Sequence, residues 1–261
     1  GIPFWATVVV TIVLIWIYTF RGGIKTIVWT DTLQTVCMLT AVVLTIFAIG
    51  GALEKDVGEL LTLVKQSDFS QVFFFEGGWT DPNNFFKQFF AGALITIVMT
   101  GLDQDMMQKN LSCPNIWDAQ KNMFTFSIVL VFANLLFLTL GALLYLYAFN
   151  FGLEIPERTD QLYPTIALQH LSPAIGIVFT LGLIAAAYSS ADSALTALTT
   201  SFCVDFLNFE KSGKPEAEQK RTRLYVHISF SVLLLIVIIA FNAINDDAVI
   251  SKLFEVAGYT Y

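Results

Sequence analysis

The chain has 261 residues, of which 56% are hydrophobic and only 13% charged, with a formal net charge of −7. That composition excludes an ordinary soluble enzyme or nucleic-acid-binding domain and places the chain in a lipid bilayer. The negative charge is unevenly placed along the chain and points to no partner.

Six stretches are long enough to cross a bilayer, at about 1–20, 26–53, 89–108, 123–153, 171–204 and 224–245. They are spans A to F below, and 249–261 reads as the start of a seventh. The chain opens inside an apolar run and stops inside another, so we expect one transmembrane domain, 1–261, that is an internal piece of a longer protein. With Gly1 outside, the inner connections carry Arg21, Lys25, Lys109, Lys121, Lys211, Lys214, Lys220, Arg221 and Arg223. The outer ones carry only Lys55, Lys65, Lys87 and Arg158, which supports that orientation.

Span A is joined to span B by Arg21-Gly22-Gly23-Ile24-Lys25, which reads as a tight inner turn. Asp31 is the only charge from Thr26 to Leu53. It is either an ion-coupling carboxylate or an acid near a helix start, favoured there by the dipole. The outer segment 54–88 is aromatic and contains Asp81-Pro82-Asn83-Asn84, a turn signal. A short helix is expected within it.

Span C contains Gly101-Leu102-Asp103-Gln104-Asp105. Glycine followed by polar residues inside a membrane span predicts a helix break, and broken helices offer free backbone groups to a solute. Asp103 and Gln104 are the candidate solute contacts; alternatively Asp103 caps the second half-helix. A helix-like stretch covers Asp160–Leu171. In span E, Asp192 is the only charged side chain between Leu171 and Val204. Ser189, Asp192 and Ser193 are three and four residues apart and share one helix face. Their hard oxygens suit Na⁺ or a proton rather than a transition metal. The alternative for the serines is hydrogen bonding back to their own helix carbonyls. At similar depth, Asp31 could meet them if spans B and E pack together. Cys37, Cys113 and Cys203 are scattered, and His170 and His227 have no metal-ligand spacing.

Three segments in register resemble the sodium/solute symporter family, which includes the sodium/glucose cotransporters. Gly22-Gly23 with Thr30-Asp31 and Gln34 resembles the family's Gly-Gly…Thr-Asp-x-x-Gln signature. Gly101-Leu102-Asp103-Gln104 with Gln108-Lys109 is similar to its Gly-x-Asp/Asn-Gln…Gln-Arg segment. Ala186 with Ser189-Ser190 and Ser193 resembles its sodium motif.

The resemblance implies an all-α, 5+5 inverted-repeat, leucine-transporter-like fold. Spans A and B would close the first repeat, and spans C to F with the start at 249 would belong to the second. It implies a first Na⁺ site at Ser189, Ser190 and the Ala186 carbonyl, completed by a helix outside this sequence. A second cation site, found in some members, would use Asp31, Ser189, Asp192 and Ser193. Asp192 departs from the neutral small residue expected there, and Lys109 stands where arginine is usual, just outside the membrane core. The implied activity is Na⁺-coupled import of a small polar solute across the plasma membrane by alternating access, with no cofactor, no enzymatic chemistry and no nucleic-acid partner. The partners are Na⁺, the solute and the lipid bilayer. Asp103-Gln104 suggests a sugar or polyol first; an organic acid or amino acid is the alternative, and an acid would need positive charge from elsewhere. A transporter-like sensor of a solute is the rival from another class. A channel would need a continuous polar pore.

Overall fold

The structure is a computed structural model that describes residues 3–209, 213 and 215–244, apart from the side chains of 17–27, 99 and 244. The expected span at 249–261 lies outside the described residues. The described chain is nearly all helical. Its elements are α1 (Phe4–Ala52), α2 (Val57–Gln66), α3 (Phe85–Leu102), α4 (Gln104–Leu111), α5 (Ile116–Phe151), the short α6 (Leu162–Thr165), α7 (Pro173–Ser201) and α8 (Glu216–Ile244). Five stretches among the described residues are long and apolar enough to cross a membrane: Val28–Ala52, Phe85–Leu102, Ile116–Phe151, Pro173–Phe206 and Glu216–Ala243. Phe4–Trp16 is apolar but shorter.

One expectation fails. Arg21–Lys25 is not a turn, because α1 runs helical from Phe4 to Ala52. The paired glycines weaken a helix by roughly 0.5–1 kcal/mol each but do not end it, and no proline is present to do so. The other punctuation is as expected. A single non-helical residue, Asp103, separates α3 from α4. α2 is the short helix in the aromatic outer segment, closed by a capping box between Asp56 and Glu59. The Asp81 turn forms, with the Asn83 N–H donating to Asp81 Oδ1 at 2.8 Å.

The chain divides into two compact units. One comprises residues 37–103 and 114–182. Its core is Val42, Ile46 and Ile49 of α1, Leu60 of α2, Leu143 and Tyr147 of α5, and Ile166. The Thr45 hydroxyl donates to the Ala41 carbonyl at 2.7 Å, so it accepts from the Tyr163 hydroxyl at 2.8 Å and ties α6 to α1. Gly182 lets α7 approach α1: a Cβ there would stand 3.5 Å from Cys37 O, the Met38 Cα and the Ala41 Cβ. The other unit comprises residues 1–36, 104–113 and 183–246. It holds the first part of α1, α4, the second part of α7 and α8.

Two helix ends in the first of these units show how backbone carbonyls are satisfied. After α5, the Leu153 N–H donates to Ala148 O at 2.8 Å while Gly152 adopts φ 63°. After α1, the Lys55 N–H donates to Gly50 O at 2.9 Å and the Glu54 N–H to Gly51 O at 3.3 Å, with Glu54 at φ 55°. Both are Schellman closures, but only one has glycine at the left-handed position. Glu54→Gly should therefore raise stability by up to about 1 kcal/mol and Gly152→Ala should lower it by about 1 kcal/mol, since a side chain costs roughly 1–2 kcal/mol in that conformation. Thermal unfolding in detergent checks the opposite signs; equal signs would show that exposed Glu54 is held by something other than backbone geometry.

Candidate functional site

The unit containing residues 1–36, 104–113 and 183–246 brings the polar residues of α1, α4 and α7 together. On α7, Ser189, Asp192, Ser193 and Thr196 recur at three- and four-residue spacing and line one face. Ser189 and Ser193 are buried, and Asp192 has no exposed surface. The hydroxyls of this bundle mostly bond back four residues along their own helix. Thr32 donates to Val28 O, Thr35 to Asp31 O, Thr199 to Leu195 O and Ser231 to His227 O. Ser189 does not. Its Oγ donates across to Asp31 Oδ1 on α1. The Ser189 hydroxyl thus bonds the Asp31 carboxylate rather than a carbonyl of its own helix. Thr196 Oγ1 donates to Asp192 Oδ1 at 3.5 Å.

α4 supplies the third wall. It is short and polar, with Asp105 in its first turn and Lys109 in its last, the arrangement the helix dipole favours. The Lys109 ammonium lies 2.7 Å from Asp31 Oδ2 and 2.8 Å from Asp105 Oδ2. It also donates to Ser193 Oγ at 3.5 Å. The three ionic side chains retain between 24% and 29% exposure, so the group is screened only in part. Burial works against the lysine charge, but the hydrogen bonds and charges of Asp105 and Asp31 outweigh it and hold the ammonium above its ordinary range.

The sequence-predicted residues thus divide. Asp31, Ser189 and Ser193 come together, with Asp192 on the same α7 face. Ser190 is exposed and Ala186 half-buried. One residue beyond Ser189, Ser190 points about 100° round the helix. Half-buried Asp103 and exposed Gln104 stand at the junction where α3 stops and α4 starts. Sequence reasoning missed Lys109 and Asp105, placing the lysine outside the membrane core. The available signal was their i, i+4 spacing with the acid first, the favoured order for a helical ion pair.

The family model of sodium:solute symporters matches residues 1–260. The chain belongs to that family. Among curated members, the sodium/sialic acid symporter NanT of Aliivibrio fischeri is 27% identical over 215 residues, covering 80% of this chain and 41% of that protein. The sodium/pantothenate symporter of Haemophilus influenzae is 26% identical over 259 residues, covering 96% of this chain and 49% of that protein. The solved structure of a Na⁺-coupled sialic acid symporter in a substrate-bound outward-open state superposes with a TM-score of 0.77 at 22% identity. It covers 93% of this chain and 52% of that one. The fold expected from the resemblance is therefore the one found, and the chain spans about half the length of the family members it matches.

A partly exposed ion pair contributes about 0.5–1 kcal/mol. Asp31→Asn and Lys109→Met should accordingly show a coupling of that size in a double-mutant cycle of thermal unfolding in detergent. Strictly additive losses would mean that the 2.7 Å contact carries no stability.

Proposed function

We propose that this chain forms part of a plasma-membrane symporter that couples the inward Na⁺ gradient to uptake of a small polar solute. The single observation that carries the reading is the Ser189 hydroxyl, which leaves its own helix to meet the Asp31 carboxylate. A carboxylate with hydroxyls around it is the ligand set of a hard, weakly bound cation. Asp31, Ser189 and Ser193, with Asp192 on the same face, form one cation site. Ser190 and the Ala186 carbonyl, on the adjoining face, belong to the first sodium site and need ligands from outside this sequence. Cation binding favours the substrate-competent state, and coupling follows if each ligand binds the alternating states unequally.

For the solute, the similarity to proteins named for sialic acid and pantothenate favours a hydroxylated organic acid over the neutral sugar or polyol suggested by Asp103-Gln104 alone. Both ideas leave Asp103 the same task, accepting hydrogen bonds from solute hydroxyls. Uptake of labelled sialic acid, pantothenate and glucose by the full chain, with and without Na⁺, tests this. Uptake of glucose alone would return the assignment to a sugar, and uptake indifferent to Na⁺ would overturn the symporter reading.

Within that assay, Ser189→Ala and Ser190→Ala should each raise the Na⁺ concentration for half-maximal uptake, Ser189→Ala with loss of the Asp31 contact as well. An unchanged sodium titration in both removes the serines from the cation sites. Asp103→Asn should raise the half-maximal solute concentration about tenfold, as expected for loss of a charge-assisted hydrogen bond of roughly 1.5–3 kcal/mol. The sodium titration at saturating solute should barely move. Lower thermal stability with unchanged solute affinity would make Asp103 a helix cap only.

A further inference from the structure

A lysine ammonium has three N–H donors and no acceptor. Lys109 directs all three at oxygens: Asp31 Oδ2 at 2.7 Å, Asp105 Oδ2 at 2.8 Å and Ser193 Oγ at 3.5 Å. Two of those oxygens are ones that the proposed cation site requires. Two positive charges at bonding distance from both the Asp31 carboxylate and the Ser193 hydroxyl repel each other strongly, since the group is screened only in part. Asp105 differs from the other two partners. It lies four residues before Lys109 on the same helix and stays within reach wherever the lysine chain swings.

We propose that Lys109 is a built-in competitor of the coupling cation. With the cation absent, its ammonium fills the position between Asp31 and Ser193. The incoming ion takes that position by displacing the ammonium toward Asp105, which keeps the lysine charge paired. The sodium affinity of the site is therefore set by the balance between two carboxylates for one lysine. This inference rests on the cation site proposed above.

Competition predicts opposite effects of the two partners. Lys109→Met frees Asp31 and should lower the Na⁺ concentration for half-maximal effect about fivefold, the scale of a modest coupling between ligands. Asp105→Asn removes the lysine's alternative resting place and should raise it by a similar factor. Simple attraction between charges predicts the same two signs, so the deciding variant is Lys109→Met/Asp105→Asn, which leaves the net charge of the group as in wild type. Competition predicts that this double variant still binds Na⁺ about fivefold more tightly, because no ammonium remains to displace.

The measurement is a Na⁺ titration of the thermal unfolding of the purified full chain in detergent. Choline is substituted to hold ionic strength, and Lys109→Gln replaces the methionine variant if that one does not fold. Lys109→Arg, which keeps a cation in place, should stay near wild type. A double variant that matches wild type overturns the competitor role and leaves the symporter reading intact. A Lys109→Met variant that binds Na⁺ more weakly overturns it too, since the lysine would then be holding Asp31 for the ion. A wild-type protein whose stability does not respond to Na⁺ overturns both the cation site and this inference.

Discussion

In hydrocarbon no water is available to pair a polar group, and everything else about this chain follows from that constraint. The backbone answers it by staying helical, and its hydroxyls mostly answer it by donating to carbonyls one turn back. Side chains that cannot be satisfied within their own helix must find partners on another. Asp31, Lys109 and Asp105 are the clearest case. The lysine draws Asp31 of α1, Asp105 of its own α4 and Ser193 of α7 to one point, with Ser189 closing the other side of Asp31. Helices with almost no polar face of their own acquire a defined azimuth through this single group. Apolar packing alone would tolerate several rotations of α7, but only one of them carries Ser189 to the Asp31 carboxylate and Ser193 to the lysine.

The same constraint explains what could be read from the residues. Long apolar runs can only be helices, so the five spans seen among the described residues were legible, while the first apolar run is shorter than expected. A lone acid in such a run needs a partner, so Asp31 and the Ser189–Ser193 face could be read as meeting on condition that their spans pack together. The interruption at Asp103 was legible from Gly101 and the polar residues that follow. Lys109 was not, because a cation just past the end of an apolar run normally reads as an interfacial anchor. Only the direction of α4 shows that its last turn points back at Asp31. Nor did the sequence show that α1 continues through Arg21–Lys25. Paired glycines between basic residues carry the composition of a turn, yet composition lowers helical stability only modestly, whereas flanking apolar runs on both sides extend the helix into the gap. Solute identity is the least legible feature, since no local pattern of residues specifies it.

Asp192 sharpens the electrostatic problem. It is fully buried on the same α7 face as Ser189 and Ser193, and it bonds to Thr196. Asp31 and Asp105 already share one ammonium, and Asp192 adds a third carboxylate on the helix that carries Ser193. A monovalent ion at the cation site proposed above would add one positive charge to this group, where charges are costly to hold in a membrane interior unless compensated. Its binding would therefore alter how favourable any further charge is at the same place. Ion binding at the proposed site and the pairing of its carboxylates are thus one linked quantity, with Asp31 as the oxygen donor that lysine and serine both address and that the ion would need.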